Sequence, residues 1–162
     1  MAKIERKFMA HFINAKLLSA TSDSYSRIGK DLEEYNVEMT AQVDTNKNII
    51  GETSIILSSY EKQGTVDPLY ADQDDPMFAR LQKIIDGDLV LDDVASDVVE
   101  VKLWETPTAE TSNPAIKEKV YIEVTSYGGD STGYQIPYNL HYTGEKTAGT
   151  FDISTKTFTQ AT

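Results

Sequence analysis

The chain has 162 residues, a formal net charge of −11, 40% apolar residues and no cysteine. That length suits one domain with a real core, and the apolar share argues against general disorder. The acidic balance speaks against wrapping nucleic acid, which requires cations that displace counterions; the absence of thiols removes disulfides, thiolate zinc sites and cysteine nucleophiles.

The charge is uneven. Residues 72–110 carry eleven Asp and Glu against Arg80, Lys83 and Lys102. Such a face either solvates the protein or repels something anionic. The first seven residues are charged and are not followed by an apolar run, so no signal peptide is expected. No window reaches the ~18 apolar residues of a membrane span.

In chain order, residues 3–16 are expected to form an extended arm or first strand, with Phe8, Ala10, Phe12 and Asn14 alternating weakly against Lys7, Met9, His11 and Ile13. Residues 19–31 are polar and read as a loop. Residues 33–60 read as one long β-hairpin. Tyr35, Val37, Met39, Ala41 and Val43 share one face; Glu34, Asn36, Glu38, Thr40 and Gln42 share the other, the mark of a strand with one buried face. Asp44-Thr45-Asn46-Lys47-Asn48 supplies turn formers. Residues 61–75 are expected to be a second irregular region, long enough to be functional. Asp74 or Asp75 then caps a helix over 76–86, with Pro76 at its first position and Gly87 as its stop. Met77, Phe78, Leu81, Ile84 and Ile85 recur at helical spacing.

Residues 88–96 are ambiguous, and residues 98–104 alternate as a strand. Residues 106–115 hold two prolines and read as a loop. Residues 117–127 form a strand with Val120, Ile122 and Val124 on one face. A glycine-rich turn over 128–133 leads to a strand over 134–142, in which Pro137 favours an edge or a bulge. Residues 143–146 turn again, and 149–158 close a hairpin around Ser154-Thr155-Lys156. Seven or eight strands and one helix predict a mainly β fold, a β-sandwich or barrel with the helix on its side. The whole chain reads as a single domain.

No catalytic set emerges, and the expectation is that the protein is not an enzyme and uses no cofactor or metal. His11 and His141 have no histidine at metal spacing. Residues 28–31 (Ile-Gly-Lys-Asp) lack the upstream glycine of a phosphate loop. Asp72-Gln73-Asp74-Asp75 lacks calcium-loop spacing, and capping the next helix explains it better. Five of the nine tyrosines, Tyr121, Tyr127, Tyr134, Tyr138 and Tyr142, lie on or beside the last long hairpin. They suit either an interface or ordinary cross-strand packing.

Several segments together resemble a family. They are the N-terminal Lys3-Ile4-Glu5-Arg6-Lys7-Phe8, the hairpin opening Lys30-Asp31-Leu32-Glu33-Glu34-Tyr35-Asn36-Val37-Glu38, and the return Gly51-Glu52-Thr53. The loop Val66-Asp67-Pro68-Leu69-Tyr70-Ala71, the helix start Asp75-Pro76-Met77-Phe78 and the late Val124-Thr125-Ser126-Tyr127-Gly128-Gly129-Asp130 complete the set. Over essentially the whole chain this resembles the tail tube (major tail) proteins of long-tailed bacteriophages and prophages of Gram-positive hosts.

The resemblance implies a virion protein, made in the bacterial cytoplasm, that self-assembles into hexameric rings. The rings stack into a hollow tube through which DNA passes without specific binding. Its other partners would be the tape measure, tail initiator and tail terminator proteins, with no membrane. It implies that the arm 1–14 and the loop 61–75 touch the next ring, with Phe8, Phe12, Val66, Leu69 and Tyr70 as contacts. A wall facing transiting DNA should carry little positive charge. Glu38, Thr40, Gln42, Glu52, Ser54, Glu123, Gln135 and Asn139 are the residues expected on that lumen face. The alternative reading is a β-sandwich binding module for carbohydrate or a host surface, although Trp104 is the only tryptophan.

Overall fold

The structure is a computed structural model that describes residues 2–29, 32–67, 69–105 and 112–161. Met1, Lys30, Asp31, Pro68, Thr162 and residues 106–111 lie outside the described residues, and with them part of the expected arm, of both expected loops, and of the loop at 106–115.

The fold is mainly β and antiparallel, with one α-helix. The strands are β1 (Met9–Asn14), β2 (Tyr25–Arg27), β3 (Val37–Lys47), β4 (Thr53–Val66), β5 (Ala95–Lys102), β6 (Ser112–Val124), β7 (Gly128–Asp130), β8 (Gly133–Gln135), β9 (Tyr138–Asp152) and β10 (Thr157–Gln160); the helix α1 is Pro76–Gly87. One sheet runs β2-β1-β5-β6-β9-β4-β3, with β10 also on β9, while β7 and β8 pair separately. Among the described residues no helix is long and apolar enough to cross a membrane.

Both faces of the main sheet carry a core. Sequence neighbours point to opposite faces, so Ile13 and Val98 enter one cluster while Phe12 and Val99 enter the other. The larger cluster joins Val66, Val120, Ile122, Tyr138 and Leu140 to Met77, Leu81 and Ile84 of α1. The Asp75 carboxylate caps that helix by accepting from Met77 N at 2.9 Å. Beyond Gly87 the left-handed position falls to Asp88, at φ 46°. The smaller cluster packs Phe12 on Phe151, ring centroids 4.6 Å apart, with Tyr25 edge-on to Phe151 at 5.5 Å.

Several boundaries depart from the sequence expectations. The loop at 19–31 contains β2, held on β1 through the Phe12–Arg27, Ile13–Ser26 and Asn14–Tyr25 pairs. Residues 61–66 belong to β4, paired to β3 on one side and β9 on the other. The loop at 106–115 gives way to β6 from Ser112 onward. The expected turn at 143–146 lies inside β9, where the pairing with β6 shifts register and Gly144 N–H donates to the Glu118 carboxylate at 2.9 Å.

Candidate assembly surface

Most of the hairpin β3–β4 is left uncovered by the rest of the described fold. From Glu61 outward, β4 has only β3 as a neighbour, because its pairing with β9 is confined to residues 62–66. Eight residues of β3, from Thr40 to Lys47, therefore project as a two-stranded ribbon, about 25 Å long at ~3.3 Å per residue. The turn closes later than the sequence composition indicates. Asp44, Thr45 and Asn46 stay in the ladder opposite Ile56, Ile55 and Ser54. Asn48 makes the turn: its Oδ1 accepts from Ile50 N at 3.1 Å and Glu52 N at 2.9 Å, and Gly51 takes a φ of 88°.

A bulge between Gln42 and Val43 keeps the two faces distinct. On one face Met39, Ala41, Val43, Ile55, Leu57 and Tyr60 line up cross-strand. This face is continuous with the larger core at the root, through Val37, Gly64 and Val66. It was expected to be buried; in the ribbon it is not. Met39 is 56%, Val43 50%, Ile55 70% and Leu57 49% exposed, and Ile49 and Ile50 at the tip also lie in solvent. Helix α1 covers the root alone.

The opposite face is polar apart from the half-exposed Ile56, which stands opposite Asp44. Glu38, Thr40 and Gln42 pair with Gln63, Glu61 and Ser59, and Ser54 follows opposite Asn46. At the root this face crosses the sheet by side-chain hydrogen bonds. Thr65 Oγ1 donates to Asn139 Oδ1 at 2.8 Å, Asn139 Nδ2 to Glu123 Oε1 at 3.0 Å, and His141 Nε2 lies 3.2 Å from Glu123 Oε2. Six of the eight residues expected on one wall thus share one face. Two do not. Glu52 sits in the turn, where its carboxylate accepts from Asn48 Nδ2 at 3.1 Å. Gln135 belongs to the separate β7–β8 sheet, paired with Gly128. Glu61, Gln63 and Thr65 complete the face and were missed, because residues 61–66 did not read as strand.

The residues expected to touch a neighbouring ring divide as well. Phe8 is exposed in a single 3-10 turn ahead of β1. Leu69 and Tyr70 are half-buried, with Leu69 packed on the larger core and Tyr70 bridged to Gln135. Phe12 and Val66 are buried at 4% and 2% exposure. A side chain consumed by its own core has no surface left for a neighbour, so these two are not contact residues.

Polar groups on the core side fix the hairpin root. Lys62 pairs with the buried Glu118 and lies over the Tyr142 ring at 5.2 Å. Tyr142 Oη is 2.7 Å from Tyr35 Oη. The Tyr35 ring meets His11 edge-on at 4.9 Å, and His11 Nε2 is 3.6 Å from Glu100 Oε1. Burial pushes the Tyr35 hydroxyl up to about 12 and raises that of Tyr142 further. Among the described residues no group of three or more His, Asp or Glu is placed to hold a metal ion.

No protein-family model matches the chain, and no curated protein matches it significantly.

Proposed function

We propose that the protein is a structural, non-enzymatic virion subunit: the tail tube protein of a long-tailed phage or prophage of a Gram-positive host. It self-assembles into stacked hexameric rings around a lumen that passes DNA. The observation that carries this reading is the hairpin ribbon, with an apolar face left open in the single subunit and an acidic-polar face behind it. Completing the burial of each half-exposed Val, Leu or Ile side chain is worth about 1 kcal/mol, so several together favour a second copy. The free edge of β3 offers the backbone partners that extend a sheet between subunits. A head-to-tail contact of this kind closes into a ring when its rotation allows. The polar face then becomes the wall, and the absence of Lys and Arg from the hairpin's share of it keeps DNA from sticking. The tape measure, initiator and terminator proteins are the remaining partners.

Leu57→Lys tests the apolar face. The expected result, by sedimentation velocity, is a folded monomer under conditions that assemble the wild type. Unimpaired assembly would remove this face from the interface. Glu38→Lys tests the wall: tubes should form normally while particles carrying the change release DNA more slowly. Normal ejection would take Glu38 off the lumen.

A further inference from the structure

Arg80, on α1, is a buried cation with no anion bonded to it. It is 3% exposed. Its guanidinium donates to three main-chain carbonyls, those of Lys16, Asp93 at 3.2 Å and Ala95 at 2.8 Å. Its Nε has no partner among the described residues. Burial lowers its pKa, and Asp93 opposes that effect only through space. A buried charge is costly unless an opposite charge and hydrogen bonds offset it, so Arg80 is incompletely satisfied.

It lines a pocket of about 460 Å³, within the size range of small-molecule sites. Lys83 lines the same pocket from the next turn of α1, three residues on and therefore on the same face of the helix. Leu17 and Leu18, in the strap that follows β1, and Leu89, just past the helix, make the walls apolar. The strap is held in place before any ligand arrives. Asn14 Oδ1 accepts from Lys16 N and Ser24 N, each at 3.1 Å, and Ala20 N donates to Leu17 O at 2.9 Å. Leu18 remains exposed at 58%.

The charge of this pocket runs against its surroundings. Residues 72–110 hold eleven acids and three bases, and two of those three bases, Arg80 and Lys83, line it. Lys83 is exposed and makes no ion pair among the described residues. Asp86 is the acid in the lining, and its carboxylate already accepts from Gln82 Nε2 at 2.8 Å. Two bases against one acid leave the pocket positive on the most acidic stretch of the chain.

Leucine walls beside two cations fit an aliphatic chain that ends in an anion. A carboxylate matches both a guanidinium with unused donors and the ammonium of Lys83. We propose that this pocket binds a medium-chain carboxylate, with its head group at Arg80 and Lys83 and its chain against Leu17, Leu18 and Leu89. The stretch of α1 from Arg80 to Gly87 is about 10 Å long, which an alkyl chain of about eight carbons spans. The site adds a ligand to the single subunit and does not depend on how copies assemble.

Titration calorimetry of the full chain with octanoate and decanoate tests this. Decanoate should bind one per chain and about tenfold more tightly than octanoate, because each buried methylene adds to the affinity. Decanol keeps the chain and loses the charge, so it should bind at least tenfold more weakly than decanoate; decylamine, with the opposite charge, should bind more weakly still. Lys83→Glu changes an exposed side chain and should weaken decanoate at least tenfold. Leu18→Asp should do the same if the first variant disturbs folding. Decanoate that fails to saturate the protein below its micelle concentration would overturn the proposal. Decanol binding as tightly as decanoate would overturn it too, as would decanoate binding that neither substitution changes.

Discussion

Gly64 lies where β4 passes under the Tyr35 ring. A Cβ there would stand 2.2 Å from Tyr35 Oη and 2.6 Å from Cζ, closer than any side chain tolerates. The ring would have to leave, and with it the Tyr35–Tyr142 hydrogen bond and the edge contact to His11. Gly64→Ala is therefore expected to cost about 2 kcal/mol, in the range of core overpacking, read as a lower midpoint in urea unfolding. A midpoint equal to the wild type would mean that Tyr35 is not seated there. Glu118 shows the same economy at the residue scale. One oxygen takes Lys62 and the other takes Gly144 N, so a buried carboxylate is fully used in joining β4, β6 and β9. Removing one partner from such a pair costs far more than the pair itself contributes.

At the scale of elements, the cross-strand pair His11–Glu100 ties β1 to β5 beside the hairpin root. The imidazole is the largest influence on Glu100 and holds its carboxyl below the ordinary value against the opposing effect of burial. A depressed folded value means that the stabilisation is complete above about pH 4.5 and is lost as pH falls through the folded value. Urea midpoints measured from pH 6 to pH 3 should fall less steeply for Glu100→Gln than for the wild type; equal slopes would contradict the linkage. The hairpin also shows how far a sequence reads. Alternation at 37–43 sorted the residues of β3 onto its two faces correctly, and the shared face of six residues expected on the wall follows from it and from β6 and β9. Periodicity reports a face but not what lies against it, so the openness of Met39, Val43 and Leu57 was invisible. Residues 61–66 escaped because Lys62 and Gly64 occupy core-facing positions where apolar residues were sought. Phe12 and Val66 were assigned outward because the cores that bury them, against Phe151 and under α1, are built by strands and a helix distant in sequence.

At the scale of the molecule, one long ribbon leaves the edge of the main sheet and carries a run of exposed apolar side chains. In the proposed assembly its apolar face would join copies and its acidic-polar face would form the wall. The charge of −11 opposes the approach of separate copies, so the proposed assembly through the apolar face should strengthen with salt. A monomer at low concentration is consistent with this balance, because the burial available per contact is modest. The most direct measurement is negative-stain electron microscopy of the purified protein, at low and high concentration and with a phage tail initiator added. The account predicts hollow rings with sixfold end views that stack into tubes as concentration rises. Featureless monomers that persist at high concentration in the presence of the initiator would contradict it and leave the β-sandwich binding module as the better description.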